Sequence, residues 1–241
     1  MENLFEAGVQ NLRQKILLMA SQAGAAVNLS VQALNRRDLD LALQVKQDDQ
    51  LIDQQEVAID EFAIHLLTQA PLAADLRFIT ASLRITQNLE RIGDEAAKIA
   101  KRARDLAREP ALRLPLDYMG MAGQTLELLN GALDAFVQAD PAAARRVIPR
   151  DRLLDECYRQ MEAGLIQHMT QNSGDIIRCL HWLVAIKSLE RIGDHATNIA
   201  EEVVFLWEAQ DIRHTGIKRL SRIHAIETQV VAPRIFAQGE E

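Results

Sequence analysis

Two places in this chain set carboxylates at a spacing that could hold a metal ion. Glu90 and Asp94 stand four residues apart, and Glu190 and Asp194 repeat the arrangement. On a helix, residues at i and i+4 share one face. Like charges there cost an isolated helix roughly 0.2–0.5 kcal/mol, so the spacing asks for a counter-charge. An acidic ridge precedes the first pair: Asp49, Asp53, Glu56 and Asp60 recur at i, i+4, i+7 and i+11. Asp151 and Asp155 repeat its start, with Glu162 standing for Asp60. If these helices are neighbours, four carboxylates repel one another unless cations lie between them. Oxygen-only ligands suit magnesium and manganese, and carboxylate clusters also hold iron or zinc. A solvated acidic face is the competing reading, and for any single pair it is the better one. Duplication on two helices shifts the balance toward metal.

The elements that must position these residues are written twice. Residues 88–94 return as 188–194 with six of seven identical, Asn88 against Ser188 being the exception. Ala96, Ile99 and Ala100 recur as Ala196, Ile199 and Ala200; further back the offset grows from 100 to 102, pairing Met19, Asp38, Asp49 and Asp53 with Met121, Asp140, Asp151 and Asp155. A period near 100 residues is too long for a solenoid and reads as two similar bundles. Pro110 and Pro115 mark the boundary between them.

Composition makes the elements helical. Aromatic residues are 4% of the 241, with 11 glycines and 6 prolines, while Ala, Leu, Gln, Glu and Arg dominate, a mixture that favours helix over strand. The first unit is expected to hold helices over 3–35, to about 69, and from Pro71 to about 108. Asp38 is an N-cap and Pro71 a first-turn residue. The second unit is expected at 116–138, 141–170 and 175–209, with Asp140-Pro141 as a start signal and a kink at Pro149. The fold class is therefore all-α, with two tandem, pseudo-symmetric three-helix bundles over 1–109 and 116–213. The tail, 214–241, has no counterpart; 214–216 reads as a loop and 217–231 as a short helix.

On a helical wheel Glu90 and Asp94 fall about 20° to either side of Leu83, with Ile92 opposite. The isoleucine side is expected to face the core, and the carboxylates the other side, beside Gly93 or Gly193.

Other chemistry lacks its residues. There is no phosphate-binding Gly-rich loop and no local signature of a nucleophilic triad. A carboxylate-bridged metalloenzyme would need matched histidines. His195 follows Asp194, but Glu95 takes its place in the first unit, so a surface histidine is the simpler reading. His65, His168, His181 and His224 are scattered and read as structural, and Trp182 and Trp207 as core or interface. The formal charge of −7 argues against broad binding to nucleic acid or anionic lipid. Arg145-Arg146 and Lys218-Arg219 are the only local basic candidates. Cys157 and Cys179 form no CxxC motif and read as small buried hydrophobes of a reducing compartment. An acidic N-terminus argues against a signal peptide, and no apolar run of about 18 residues is read as a membrane span. A cytoplasmic protein, without membrane insertion, is expected.

The doubled segment Leu-Glu-Arg-Ile-Gly-Asp, at 89–94 and 189–194, resembles the signature of the PhoU family. So do residues 71–77 and 56–60. The resemblance covers about residues 3–213. It implies two three-helix bundles whose Glu/Asp-x-x-x-Asp motifs bind divalent or trivalent metal (iron, zinc, manganese or magnesium), in multinuclear clusters in some members. The implied ligands are Asp49, Asp53, Glu90 and Asp94 in one bundle and Asp151, Asp155, Glu190 and Asp194 in the other. Asn198 and Glu201 match the family's continuation, where Lys98 and Lys101 stand in the first unit. The resemblance further implies a non-catalytic negative regulator of phosphate uptake and of the phosphate-starvation response. Its expected partners are the ATP-binding subunit of a phosphate ABC transporter, a membrane sensor histidine kinase and a second copy of itself. A related helical regulator serving another transporter is the alternative.

Overall fold

The middle helices of the two units start from the same turn, built twice. Arg37 and Ala139 both adopt left-handed backbone, at φ 56° and 55°. The next residue, Asp38 or Asp140, returns its N–H to the carbonyl of Ala33 or Ala135 at 3.0 Å, the six-to-one bond that closes a helix C-terminus. Its side chain then caps the following helix: Asp38 accepts from the N–H groups of Asp40 and Leu41, and Asp140 from that of Ala143. Each aspartate thus ends one helix and starts the next.

The computed structural model describes residues 2–69, 72–112 and 117–213, with side chains from Phe5 onward. Bundle one holds α1 (Glu2–Arg36), α2 (Leu39–Leu67) and α3 (Ala73–Ala107). Bundle two holds α4 (Tyr118–Gln138), α5 (Pro141–Val147), α6 (Asp151–Gln171) and α7 (Ile176–Glu208), with short 3₁₀ turns at Ile148–Arg150 and Ser173–Asp175. Among the described residues there is no strand. The break expected at Pro149 is present: α5 stops at Val147 and α6 restarts at Asp151. Its counterpart α2 is unbroken. Pro71, the 113–116 linker residues and the tail from 214, including Lys218-Arg219 and the helix expected at 217–231, lie outside the described residues.

Apolar side chains at helical spacing fill the bundles. Leu12, Ile16 and Met19 of α1 and Ile85, Leu89 and Ile92 of α3 are fully buried, as are Met121, Ile186 and Ile192 in bundle two. Each contributes on the order of 1.5–3 kcal/mol relative to exposure. One sequence expectation needs correction here. Phe5–Arg36 is long and apolar enough, by length and composition, to cross a membrane. Its apolarity instead supplies one wall of the core, through Leu12, Ile16, Met19, Ala23 and Val27.

α3 and α7 pack along each other more extensively than any other pair of helices, and all seven helices fall in one compact unit, Met1–Asp211. The α3–α7 seam is antiparallel and polar at intervals. The Arg77 guanidinium donates to the Leu206 carbonyl at 3.1 Å, and Arg84 pairs with buried Glu202 at 3.2 Å. Asn88 Oδ1 meets His195 Nδ1 and Asn198, Arg191 reaches Glu95 at 3.2 Å, and Arg102 meets His181. The first interacting residue advances along α3 while its partner retreats along α7, which fixes the register of bundle on bundle.

Candidate functional site

The glycine side of α3, where the wheel puts the carboxylates, faces α2. An ideal Cβ on Gly93 would stand 3.1 Å from Ile52 Cδ1 and 3.2 Å from Asp49 Oδ1. Glycine is therefore what lets α2 bring its first acidic residue down onto α3. Bundle two repeats this contact. A Cβ on Gly193 would run into Leu154 Cδ2 and lie 3.6 Å from Asp151 Oδ1. Ile52 and Leu154 follow their aspartates at the same three-residue spacing. Both sites are thus a glycine on the third helix, capped by an apolar side chain and an aspartate from the second.

Burial leaves part of this charge unanswered. Asp49 Oδ1, Glu90 Oε2 and Glu190 Oε2 are buried without a hydrogen-bond partner. Arg91 Nε lies 3.2 Å from Glu90 Oε2, but it is not aligned to donate to it. Burial pushes the Glu90 carboxyl up to about 7; Asp94, Glu56 and Asp53 add to the rise and Arg91 opposes it. Burial likewise raises Asp49 to about 6, reinforced by Asp53 and Asp94 and opposed by Lys98. Glu56 is raised by burial and then by Asp60. Glu190 is raised by burial, against the hydrogen bond it accepts from Lys187 at 2.8 Å. Carboxylates whose ionised form is disfavoured by burial and by their neighbours' charge stand to gain from a nearby cation.

The structure brings Asp49, Asp53, Glu90 and Asp94 into one electrostatic cluster, and Glu56 joins it. Glu56 is visible in the sequence as the third tooth of the α2 ridge. In bundle two Asp151 is buried, and Asp155 and Asp194 act on Glu190. His195 lies half-buried on the α3–α7 seam against Asn88, a partner that Asn198 shares, and within electrostatic reach of Asp194. Sequence reasoning passes over the cations of the site: Arg91 lies 3.6 Å and Lys98 4.0 Å from Asp94, and Lys187 holds Glu190. Lys98 and Lys187, at four and three residues from their partners, are legible as helical ion pairs.

Of the remaining sequence candidates, Cys179 is fully buried but Cys157 is only partly so. Arg145 and Arg146 form no basic patch, because Glu208 and Asp140 pair with them. Trp182 packs against Tyr118 with the rings tilted by 54° and their centroids 4.7 Å apart.

The donor set fits a hard cation in ligand type, in its two facing helices and in its orphaned oxygens. The side chains are not gathered onto one point: among the described residues, no three His, Cys, Asp or Glu are arranged to hold an ion.

Duplicated helical bundles joined back to back through their third helices, each with carboxylates from two helices meeting over a glycine, define a class of tandem bundle proteins. The PhoU domain matches this chain twice, over residues 16–103 and 118–203. The chain belongs to the PhoU family. It is 38% identical over 219 residues to the phosphate-specific transport system accessory protein PhoU homolog of Pseudomonas putida, covering 90% of this chain and 86% of that one. It is 30% identical over 222 residues to the phosphate-specific transport system accessory protein PhoU of Escherichia coli, covering 92% of each. The crystal structure of PhoU from Pseudomonas aeruginosa superposes with a TM-score of 0.83 at 36% identity, over 86% of this chain and 100% of that one.

Proposed function

We propose that this protein is a non-catalytic regulator of phosphate homeostasis. It would restrain phosphate uptake and the phosphate-starvation response by linking a phosphate ABC transporter, through its ATP-binding subunit, to a membrane sensor kinase. The proposed setting is the cytoplasm and the proposed working form a homodimer. What supports the reading is membership of a family whose relatives carry phosphate-transport accessory names, joined to a site built of carboxylates and their counter-charges. The observation that carries the metal part is that α2 and α3 each bury a carboxylate oxygen without a hydrogen-bond partner, Asp49 Oδ1 and Glu90 Oε2, the former against Gly93.

In this reading Asp49, Asp53, Glu90 and Asp94 hold divalent or trivalent metal in bundle one, and Asp151, Asp155, Glu190 and Asp194 do so in bundle two. The metal supplies positive charge that lets both acidic helix faces stay ionised and close. The chain's own residues do the rest: the glycines set the approach of the helices, and the second-helix carboxylates reach across it.

Two measurements test the parts separately. Elemental analysis of untagged protein should find bound metal that is lost when Glu90, Asp94, Glu190 and Asp194 are all changed to Ala. Metal retained by a folded quadruple variant would remove the duplicated motif as its site. Deleting the gene should leave a phosphate-starvation reporter switched on in phosphate-rich medium. A reporter that responds normally at high and low phosphate would end the regulatory reading.

A further inference from the structure

The repeats serve as each other's control for which surface residues the fold requires. On α2, Leu39, Leu43, Val57 and Ile64 fall within about 60° of one another at 100° per residue. They lie opposite the buried Val45, Ile52 and Ile59, and are 49–60% exposed. In bundle two the counterparts of Leu43 and Val57 are Arg145 and Arg159, so apolar side chains there are not needed to build the bundle. The third helices show the reverse. Ile177, Leu180 and Val184 of α7 also fall within about 60° of one another and are 42–60% exposed. Their counterparts in α3 are Arg77, Thr80 and Arg84, and both arginines are engaged on the seam. Single exposed apolar side chains are ordinary, whereas aligned groups of them mark binding surfaces.

The two faces carry opposite charge. α2 holds seven carboxylates against one lysine, and Asp40, Asp53 and Glu61 are exposed beside its apolar row. The α7 row lies against the end of α3, where His181 meets Arg102 and Asp105, and Arg178 donates to the Pro110 carbonyl. From Lys98 to Arg108 that end carries five cations against Asp105 alone, and Lys101 and Arg108 are exposed.

We propose that a second copy of this chain covers both faces: the acidic, apolar face of α2 in one copy docks on the basic, apolar face of α7 and the end of α3 in the other. The inference rests on the homodimer reading above and names its contact. Apolar burial supplies the affinity. Charge decides which face meets which, because either face against its own kind sets like charges together. Closed by a twofold axis, the contact is made twice in each dimer.

Sedimentation velocity of the full chain tests this. Wild-type protein should be a dimer. Val57→Asp with Ile64→Asp breaks the α2 face and should give a monomer. Leu180→Asp with Val184→Asp breaks the α7 face and should do the same. All four side chains are exposed, and far-UV circular dichroism checks that the variants fold. Mixed in equal amounts, the two monomeric variants should recover a dimer, because each keeps the face that the other has lost. That dimer should be weaker than wild type, with one contact in place of two. Should either aspartate variant not fold, Asp40→Lys with Glu61→Lys replaces the first, and Lys101→Glu with Arg108→Glu the second, with the same expected loss of dimer and the same recovery on mixing. If the wild-type dimer survives either pair of substitutions, or the mixture stays monomeric, the inference falls and the homodimer reading stands. If wild-type protein is monomeric at every concentration, both fall together.

Discussion

In bundle one the middle helix runs unbroken from Leu39 to Leu67, while in bundle two Pro149 cuts the same segment into α5 and α6. The cut changes how the helices pack. Val147 closes on α4 so tightly that a Cβ on Gly131 would lie 2.9 Å from it. The equivalent of Gly131 in bundle one is Leu29, a far larger side chain at the point where α2 runs straight. Yet both second helices deliver an aspartate and a large apolar side chain to the same glycine on the third. The carboxylate contact is therefore the feature the two bundles share, and the path of the chain toward it is free to differ.

The sharpest way to break this comparison is to exchange the cut. Gln47 is the counterpart of Pro149 and is exposed, so its side chain contributes little to packing. Gln47→Pro should cost about 3 kcal/mol or more, through the lost helical hydrogen bond and the ring's clash with the preceding turn. Pro149→Ala should cost about 1 kcal/mol or less, because the local bend is also fixed by Val147 against Gly131. Chemical denaturation of both variants measures the difference. Equal costs would mean that α2 already tolerates a bend at this point, and that the straight helix is not a property of bundle one.

A smaller effect separates the two glycines. At Gly193 an added methyl meets the fully buried Leu154; at Gly93 it meets Ile52 and Asp49 at 3.1–3.3 Å. Gly193→Ala should destabilise by about 1–2 kcal/mol, the overpacking cost exceeding the gain of up to about 1 kcal/mol in helix propensity. Gly93→Ala should be near neutral in thermal unfolding while pressing on Asp49 and loosening bound metal. Should Gly93→Ala prove the more destabilising of the two, the tighter approach would belong to bundle one, against the geometry.

Much of this architecture is legible in the residues themselves. The duplicated segments, the six long helices, the caps at Asp38 and Asp140 and the restart at Pro149 all follow from residue types acting within one turn of themselves. The clustering of α2 carboxylates with those of α3, Asp49 with Asp94 and Asp53 with Glu90, is legible too, as two acidic ridges of the same period. What escapes a local reading is set by distant parts of the chain. A local reading cannot see that Ile52 covers the glycine of α3 and Leu154 that of α7, nor that α3 is enclosed by α1, α2 and α7. Nor can local spacing tell that Arg191 meets Glu95 of α3 across the seam. Arg37 is a third case. By sequence it is a turn residue and a surface charge, yet its guanidinium donates to the carbonyls of Leu106 and Glu109, at the end of α3, where cations also suit the helix dipole. Ala139, its counterpart, can do none of this.

The two caps give the smallest contrast. Asp38 and Asp140 occupy the same turn and close the preceding helix with the same backbone bond, so that contribution cancels between them. They differ in what the carboxylate receives: two N–H groups at Asp38, at 2.9 and 3.1 Å, and one at Asp140, at 2.9 Å. The bond that Asp140 lacks is the one from the second residue of the helix, Ala142, the counterpart of Asp40. Asp38→Ala should therefore cost about 1 kcal/mol and Asp140→Ala about half of that. Asp140 also stands 3.8 Å from Arg146, an exposed pair whose small contribution salt should remove. Denaturant midpoints of the two variants, taken at low salt and at about 1 M, should widen the gap as salt rises, since only the Asp140 cap loses a partner to screening. A gap that stays fixed would assign the whole difference to the count of capped N–H groups; costs that are equal at both salts would show that the second capped N–H at Asp38 has no energetic consequence.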